Sequence, residues 1–412
     1  MTLALDRPAL PAPTWSQREI GRLEQDRPRL ARLLRVVWMH PTTVVVCFGL
    51  LIGVMAGLDR REGDQVLFRA AGLAMLGPHF LDVFSDSWLQ IGPVYLVLLG
   101  LGTLLGTVVQ VPPVAIGVCA AAAHGALTAW LACLAARRAA EATGAWVRRA
   151  QWVVGLTLVV GGFLYTALVA DHAEELILGL VLALAAVSAG RGRLVWAAVL
   201  LALATGVKQW APTAGGILLV GRRVRASVLA ITVFVAGVAL LYLPFKLWGD
   251  MQTFSVQWPF PEQTWLDRVP GLAGSSDWTQ RIVQGAAAGL VGVGIAWRRH
   301  GSALVVVIGS VAIRLLLDPL RLSYYWTALA AVAMVWLWTS QAPDVRRARL
   351  WITPALLVLT LVPMLPDGGW WHLETFAAIA LPVFCLVAER RARPARPDPT
   401  PLAAEDRLGS AA

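Results

Sequence analysis

Residues 152–210 read WVVGLTLVVGGFLYTALVADHAEELILGLVLALAAVSAGRGRLVWAAVLLALATGVKQW, which is three apolar runs separated by two short polar segments. The runs cover 152–169, 173–189 and 194–207, and the longer two approach the ~20 apolar residues that a helix needs to cross a bilayer. The first polar segment carries acidic residues and the second carries Arg191 and Arg193. This alternation is typical of a membrane protein with several spans, because arginines collect in its cytoplasmic loops.

The composition of the whole chain supports the same fold class. Of its 412 residues, 58% are hydrophobic and 15% are charged, whereas soluble domains hold roughly 45–50% apolar and about 25% charged residues. This excludes an ordinary soluble fold, and it also excludes a disordered polymer, which needs low hydrophobicity. The net charge is +10. Its arginines form short clusters between apolar segments rather than one basic face, which argues against a nucleic-acid-binding protein.

We therefore predict an all-α polytopic membrane protein with about 12 transmembrane helices. The predicted spans lie near 39–58, 113–135, 152–169, 173–189, 194–207, 211–220, 226–244, 282–297, 302–317, 322–338, 350–365 and 372–388. Segment 93–111 is interpreted as re-entrant or lying along the membrane, and 211–220 as half of a bent pair hinged at Pro212. Residues 1–38 form a cytoplasmic tail, 39–388 a transmembrane catalytic domain with external loops 59–92 and 245–281, and 389–412 a disordered cytoplasmic tail.

The distribution of charge orients this arrangement. The predicted inside segments hold 26 arginines and 10 acidic residues, a net charge of +16. The predicted outside loops and outer span ends hold 9 basic and 15 acidic residues, a net charge of −6. Such an asymmetry places both termini in the cytoplasm, and it directs the search for chemistry to the outer side, where the acidic residues concentrate.

The first external loop contains a predicted amphipathic helix over 65–76, with Phe68, Leu73 and Leu76 able to face one way along the membrane surface. It would hold the Asp64 carboxylate just above the bilayer. An acid at a helix N-terminus is also a good cap, so a structural role for Asp64 is the alternative.

Two further polar segments lie at the outer ends of predicted spans. In the 171–175 segment, Glu174 and Glu175 would enter the outer end of a helix, where acids are either functional or simply favourable to a helix N-terminus. Lys208 follows a long apolar run, and a buried ammonium needs a carboxylate or phosphate partner. The alternatives for Lys208 are a lipid phosphate ligand and a side chain that snorkels to the interface.

The segment 314–326 joins a charged pair to aromatic residues. Arg314 and Asp318 are spaced i,i+4 and could pair with each other, yet Arg314 lies within a predicted span and is well suited to grip phosphate oxygens. Tyr324, Tyr325 and Trp326 open the next span and suit a sugar ring. The outer loop 245–281 is predicted to act as a lid, through Asp250, Trp258, Glu262, Trp265 and Asp267, and His372 is the weaker of the candidate donors.

The chain resembles a known enzyme family in five short pieces. These are GDQVLF at 63–68, LQIGP at 89–93, DHAEE at 171–175, GVKQWA at 206–211 and RLLLDPLRLSYYW at 314–326. They resemble the actinobacterial GT-C glycosyltransferases near family 87, the polyprenol-phosphate-mannose-dependent mannosyltransferases, over most of residues 39–388. Members often carry Gly-His-Pro or Gly-His-acid where this chain has Asp171-His172-Ala173, which leaves the role of His172 open.

The resemblance implies an inverting transfer of a sugar, mannose in that family, from a polyprenyl-phosphate donor to a lipid or polysaccharide acceptor. It implies an outward-facing site in the plasma (inner) membrane, with no cofactor and no metal. Asp64 would be the general base, because its Asp-xxx-Phe context matches the family's pattern. Lys208, Gln209 and Arg314 would bind the donor phosphate, and the substrate would contact six further residues: Phe68, His172, Glu174, Trp210, Tyr324 and Tyr325.

Two other functions stay open at this point. A transporter of a lipid-linked or polar solute would need no covalent chemistry, although the absence of visible internal repeats argues against one. A non-catalytic scaffold is the third interpretation, and the uneven placement of acids on the outer side argues against it.

Overall fold

The structure, a computed structural model, describes residues 22–59, 63–221, 223–255, 266, 269–272, 275, 277–298, 302–318, 322–360 and 370–392. This described part is helical and contains no strand, as the all-α prediction requires. Its α-helices are Pro28–Met39, Pro41–Asp59, Asp64–Met75, Pro93–Val108, Pro113–Thr143, Val147–Val160, Phe163–Val169, Ala173–Gly190, Leu194–Val207, Val224–Trp248, Asp277–Arg298, Ala303–Leu316, Trp326–Thr339, Pro343–Leu359 and Trp370–Arg391. Short 3-10 helices are Phe80–Ser85, Ala211–Leu219, Thr253–Ser255 and Ser323–Tyr325.

Apolar helices make this chain a membrane protein. Within the described residues, five helical segments are long and apolar enough to cross a bilayer: Pro41–Asp59, Pro113–Thr143, Val147–Val169, Ala173–Gly190 and Val224–Trp248. Four shorter helices are also apolar: Pro93–Val108, Leu194–Val207, Ala303–Leu316 and Trp326–Thr339. Large apolar side chains such as Leu240 and Leu290 are exposed on the outside of the bundle, as expected where helices face lipid. The number of crossings stays a prediction.

The closest helix pair is held together by small residues. Gly49, Gly53 and Gly57 recur every fourth position along Pro41–Asp59 and face the Pro113–Thr143 helix. A Cβ added at Gly53 would lie 2.4 Å from the carbonyl oxygen of Ala121, so the two backbones touch. Close approach between glycine-lined helices is a main source of association in membranes, where the hydrophobic effect is weak.

Charged residues separate to the two ends of the bundle. At one end, which we call the arginine end, Arg191 donates to the carbonyl of Arg138 at 2.6 Å, and Thr143 donates to the carbonyl of Thr339 at 2.7 Å. At the other, which we call the acidic end, Tyr165 donates to Asp59 at 2.5 Å. This separation is the one that the charge asymmetry predicts, because the arginine clusters at the ends of different helices gather on one side.

The Pro93–Val108 helix packs mainly against helix Asp64–Met75. Before its first residue, the Gly92 amide donates to the carbonyl of Val207 at 3.0 Å. Its middle packs against helix Asp64–Met75, and Gly106 near its end contacts Ile116, one turn into the next helix. The interpretation of 93–111 as re-entrant or lying along the membrane stays a prediction.

Three local features differ from the predictions. Helix Asp64–Met75 buries Gln65, Phe68, Gly72 and Met75 in the protein. Phe68, Leu73 and Leu76 had been predicted to face one way along the membrane surface, but Phe68 is buried whereas Leu76 is exposed. The predicted 152–169 span is broken at Gly161-Gly162, where Gly162 adopts a left-handed conformation.

The break before the predicted 211–220 segment also differs from the expectation. Lys208 leaves helical geometry with φ −148° and ψ 133°, and a 3-10 helix starts at Ala211. The chain therefore bends at 208–210, whereas a hinge at Pro212 had been predicted.

The predicted tails are partly helical. An amphipathic helix, Pro28–Met39, lies within the predicted N-terminal tail, and its Trp38 ring stacks on Trp152 with centroids 6.0 Å apart. At the other end of the chain, the last helix continues to Arg391, three residues past the predicted end of the transmembrane domain at 388. Residues 1–21 and 393–412 lie outside the described part of the chain.

Gly53→Ala is expected to lower the free energy of unfolding by about 1–3 kcal/mol, because the new methyl group would overpack the interface. The matched control is Gly289→Ala, also within a helix, where a Cβ would meet nothing within 4 Å. There the better helix propensity of alanine would stabilise the protein by up to ~1 kcal/mol. Thermal unfolding in detergent measures both changes, and the same sign for the two variants would contradict the packing assigned to Gly53.

Candidate functional site

A cavity of about 230 Å³ opens at the acidic end of the bundle. Nine of the ten site residues predicted from sequence line it: Asp64, Phe68, His172, Lys208, Gln209, Trp210, Arg314, Tyr324 and Tyr325. They come from four separate parts of the chain, and the folded bundle brings them to one place. The tenth, Glu174, is fully buried and lies behind this wall.

Asp64 is placed by a contact between two loops. It is the first residue of helix Asp64–Met75, and the residue before it, Gly63, makes no side-chain capping bond. The cap comes instead from the 171–175 segment, where the Asp171 carboxylate accepts a hydrogen bond from the backbone N–H of Gln65 at 3.2 Å. Asp171 reaches this position with φ 64°, a left-handed conformation that aspartate tolerates. The Asp64 carboxylate is left 62% exposed to the cavity.

A line of charged groups runs from Asp64 into the interior. His172 Nε2 lies 3.3 Å from Asp64 Oδ2, and His172 Nδ1 lies 2.6 Å from Glu174 Oε1. The same Glu174 oxygen lies 2.7 Å from Lys208 Nζ, which is also 3.5 Å from Glu175 Oε1. Both ring nitrogens of His172 therefore face carboxylates, an arrangement that suits the doubly protonated imidazolium.

This geometry shifts two pKa values. The hydrogen bond from His172 lowers the pKa of Asp64 below its ordinary 3.8, and this outweighs the opposing effect of partial burial. For His172, burial acts against the charged ring, but the charge of Glu174 and the hydrogen bonds to Asp64 and Glu174 outweigh it and raise its pKa. At neutral pH Asp64 is thus a carboxylate, able to accept a proton, and it lies beside an imidazole whose protonated form the site favours.

Aromatic rings hold His172 from both sides. Tyr324 stacks on the imidazole with centroids 3.9 Å apart and an interplanar angle of 16°. Phe68 approaches the imidazole edge-on at 5.7 Å. The helix that carries His172 meets the Tyr324 region because Gly179 packs directly on the backbone of Ala328. The ring of His172 is therefore fixed by packing as well as by its carboxylate partners.

The structure places Lys208 among carboxylates. Its ammonium is buried and is already paired with Glu174 and Glu175, so it does not snorkel to the interface. Glu174, predicted as a substrate contact, instead holds His172 and Lys208 in position. Since breaking a buried ion pair costs much free energy, Glu174, His172 and Lys208 are held rigidly beside the cavity.

Arg314 is the cation with donors left over. It pairs with Asp318 at 2.8 Å, as the i,i+4 alternative predicted, and its guanidinium carbon lies 4.7 Å from the Trp210 ring centroid and 4.4 Å from the Tyr325 ring centroid. Yet Arg314 Nε and Nη1 are buried and have no hydrogen-bond partner among the described residues. Arg314 lines the cavity, and an oriented guanidinium there is suited to attract an anion such as phosphate.

Gln209 lines both the cavity and a second, open groove of about 420 Å³. The groove is mainly apolar and is lined by Val238, Leu243 and Lys246 among others. The side-chain amide nitrogen of Gln209 is buried without a partner in the described part of the chain. A polar head in the cavity and an apolar chain in the groove would thus lie on either side of one residue.

Sequence reasoning missed several residues of this site. Trp88, Gln90, Ile91, Arg281 and Leu322 also line the cavity, and Asp171 positions the helix that carries Asp64. The 89–93 piece offered a signal for Gln90 and Ile91, because it was among the family-like motifs. Nothing local in the sequence indicates that Asp171 caps a helix 106 positions earlier.

Part of the predicted lid is outside the described residues, namely Trp258, Glu262, Trp265 and Asp267. The same holds for the side chain of His372. Asp250 is described: it accepts a hydrogen bond from Gln252 at the surface and does not line the cavity.

Comparison of the sequence with protein-family models and with curated proteins finds no match.

Lys208→Met is expected to destabilise the protein by about 3–5 kcal/mol, because Glu174 and Glu175 would lose their shared cation in a buried place. Adding Glu174→Gln to that variant should recover part of the loss. The control is Lys246→Met, which removes the other lysine of the chain from an exposed position, with an expected change within ~0.5 kcal/mol. Thermal unfolding in detergent measures all three, and equal stability of the two single variants would refute a buried ion cluster.

Proposed function

We propose that this protein is a membrane glycosyltransferase that moves a sugar from a polyprenyl-phosphate donor to a hydroxyl acceptor. The observation that carries this proposal is the cavity itself, which combines an ionised, half-exposed carboxylate at Asp64 with unused guanidinium nitrogens on Arg314. A general base and an anion site in one cavity are the two groups that such a transfer needs.

The reaction would proceed by a single inverting displacement. The acceptor oxygen attacks the anomeric carbon, its proton passes to the Asp64 carboxylate, and the bond between the anomeric carbon and the phosphate oxygen breaks. The electron pair of that bond leaves with the polyprenyl phosphate, which gains negative charge. Arg314 is the group best placed to stabilise this charge, while Lys208 offsets the negative charge of Glu174 and Glu175 beside the cavity.

The groove beyond Gln209 supports a lipid-linked donor. With the phosphate near Arg314 and Gln209, the prenyl chain would lie along the apolar groove towards Leu243, with Lys246 at its edge. Tyr324, Tyr325, Trp210 and Phe68 would contact the sugar and the acceptor, because aromatic faces suit sugar rings. His172 would act through Asp64, holding its carboxylate in place.

The finer membrane arrangement belongs to this proposal too. About twelve crossings, a GT-C-like architecture and both termini in the cytoplasm would place the cavity on the outer side of the plasma membrane, where a lipid-linked donor is used. The sugar implied by the family resemblance is mannose, and the acceptor a lipid or polysaccharide of the cell envelope. The charge asymmetry between the two ends of the bundle supports the orientation.

Asp64→Asn should lower the rate of sugar transfer at least about 100-fold, because the amide cannot accept the acceptor's proton. The assay follows transfer from polyprenyl-phosphate mannose to endogenous acceptors in membranes that contain the protein. Asp82→Asn is the matched control, because Asp82 is an exposed acid of the same loop and does not line the cavity.

Wild-type activity in the Asp64→Asn variant would remove Asp64 as the base. If the wild-type protein formed no new glycosidic product but drove solute flux in liposomes, the transferase proposal would fall and the transporter alternative would replace it.

The pH dependence of transfer should reveal the contact between His172 and Asp64. The active carboxylate has a lowered pKa, so wild-type activity should persist as pH falls to the ordinary aspartate pKa of 3.8. His172→Phe keeps a ring against Tyr324 but removes the donor, so the pKa of Asp64 rises and activity should be lost at a higher pH. Tyr324→Phe retains His172, so this variant should lose activity at the same acidic pH as the wild type. Superimposable acid limbs for wild type and His172→Phe would contradict the assigned contact.

A further inference from the structure

A second charged cavity lies at the arginine end of the bundle, far from the candidate active site. Its volume is about 480 Å³. Four arginines line it, Arg149, Arg346, Arg347 and Arg349, together with Trp338 and Leu350. Three helices form it, since Val147–Val160 and Pro343–Leu359 begin there and Trp326–Thr339 ends there. Tyr325 of the candidate active site and Trp338 of this cavity lie at opposite ends of helix Trp326–Thr339. At 1.5 Å per residue, the two residues are roughly 20 Å apart.

Two of the guanidinium groups are held in place. The guanidinium carbons of Arg149 and Arg349 each lie 5.4 Å from the centroid of the Trp338 ring. Trp338 is itself fixed by a 3.0 Å hydrogen bond to Thr353, and Arg349 Nε donates to the carbonyl of Leu337 at 2.8 Å. Cation–π contacts and helix-end carbonyls therefore orient these cations without neutralising them.

The charge of this cluster is not balanced within the described residues, where none of the four arginines forms an ion pair. The nearest acid in sequence, Asp344, pairs with Arg391 at 3.5 Å. A neighbouring cluster shows the contrast, because Arg137, Arg138 and Arg191 share the carboxylate of Glu141. Four cations around one cavity repel each other unless an anion enters it.

Apolar side chains beside the cavity indicate what carries that anion. Leu350, which lines the cavity, is 71% exposed, and Trp146 and Trp351 nearby are each 80% exposed. Exposed tryptophans beside clusters of basic residues are typical of the membrane–water interface. A ligand at this place would meet guanidinium groups on one side and an apolar surface on the other.

We propose that this cavity binds the phosphate headgroup of an anionic phospholipid from the membrane leaflet at the arginine end of the bundle. The acyl chains of this lipid would lie against Leu350 and Trp351. Basic pockets between transmembrane helices on the cytoplasmic side bind such headgroups through their fixed charge, and a planar guanidinium suits phosphate oxygens. The site is separate from the proposed glycosyl transfer and does not depend on it. Its lipid would tie together the ends of three helices.

The experiment measures retention of phosphatidylglycerol by the full-length protein in detergent, using native mass spectrometry. Phosphatidylcholine tests the need for negative charge, and glycerol 3-phosphate distinguishes a lipid headgroup from a soluble phosphate. The test variant is Arg149→Gln with Arg346→Gln. The matched control, Arg137→Gln with Arg138→Gln, removes the same charge from the same end of the bundle, but from the cluster that pairs with Glu141.

The wild type should retain phosphatidylglycerol in preference to phosphatidylcholine, and glycerol 3-phosphate should not displace it. The apparent Kd should rise about tenfold or more in the test variant and less than about twofold in the control. If the test variant does not fold, Arg149→Lys with Arg346→Lys keeps the charge, removes the planar forks and should still weaken binding. Equal losses in the two glutamine variants, no lipid preference in the wild type, or displacement by glycerol 3-phosphate would each overturn the proposal.

Discussion

The ammonium of Lys208, buried between the carboxylates of Glu174 and Glu175, is the interaction on which the site depends. None of the three charges is tolerable alone away from water, so the end of helix Leu194–Val207 and the start of helix Ala173–Gly190 must meet. Once they meet, Glu174 also orients His172 towards Asp64. The ring of Trp210, two residues after Lys208, then donates to Glu175 at 3.3 Å and lies against Arg314.

Because of this ion cluster, Lys208 and Arg314 have different roles in the cavity. Lys208 is paired with two carboxylates, so it offsets their negative charge instead of binding the anion directly. Arg314 is oriented by Asp318 and two aromatic rings but keeps two nitrogens unused. The proposed transfer therefore relies on Arg314 for direct contact with phosphate, and on the Lys208 cluster for the rigidity that holds Asp64 and Arg314 in one cavity.

The two ends of the bundle differ in how many of their charged side chains form ion pairs. At the acidic end, cations and carboxylates pair inside the protein and leave a few polar atoms free for a ligand. At the arginine end, Glu141 pairs with the arginines of one cluster, whereas the four arginines around Trp338 form no ion pair among the described residues. The helices that join the ends are packed through small residues such as Gly53 and Gly179, which bring backbones close enough to fix both sites.

The sequence by itself determined that this chain is an all-helical membrane protein, where most helices lie and which charged segments to examine, because apolar run length and charge clustering are local properties. It also offered the i,i+4 pair of Arg314 and Asp318 as one of two alternatives for Arg314, again from a local spacing. Only the tertiary structure decided that Asp171 caps the helix of Asp64, that Lys208 pairs with carboxylates and that Glu174 lies behind the cavity wall. These contacts join residues 34 to 106 positions apart, and their geometry depends on how closely helices pack, which no local pattern records.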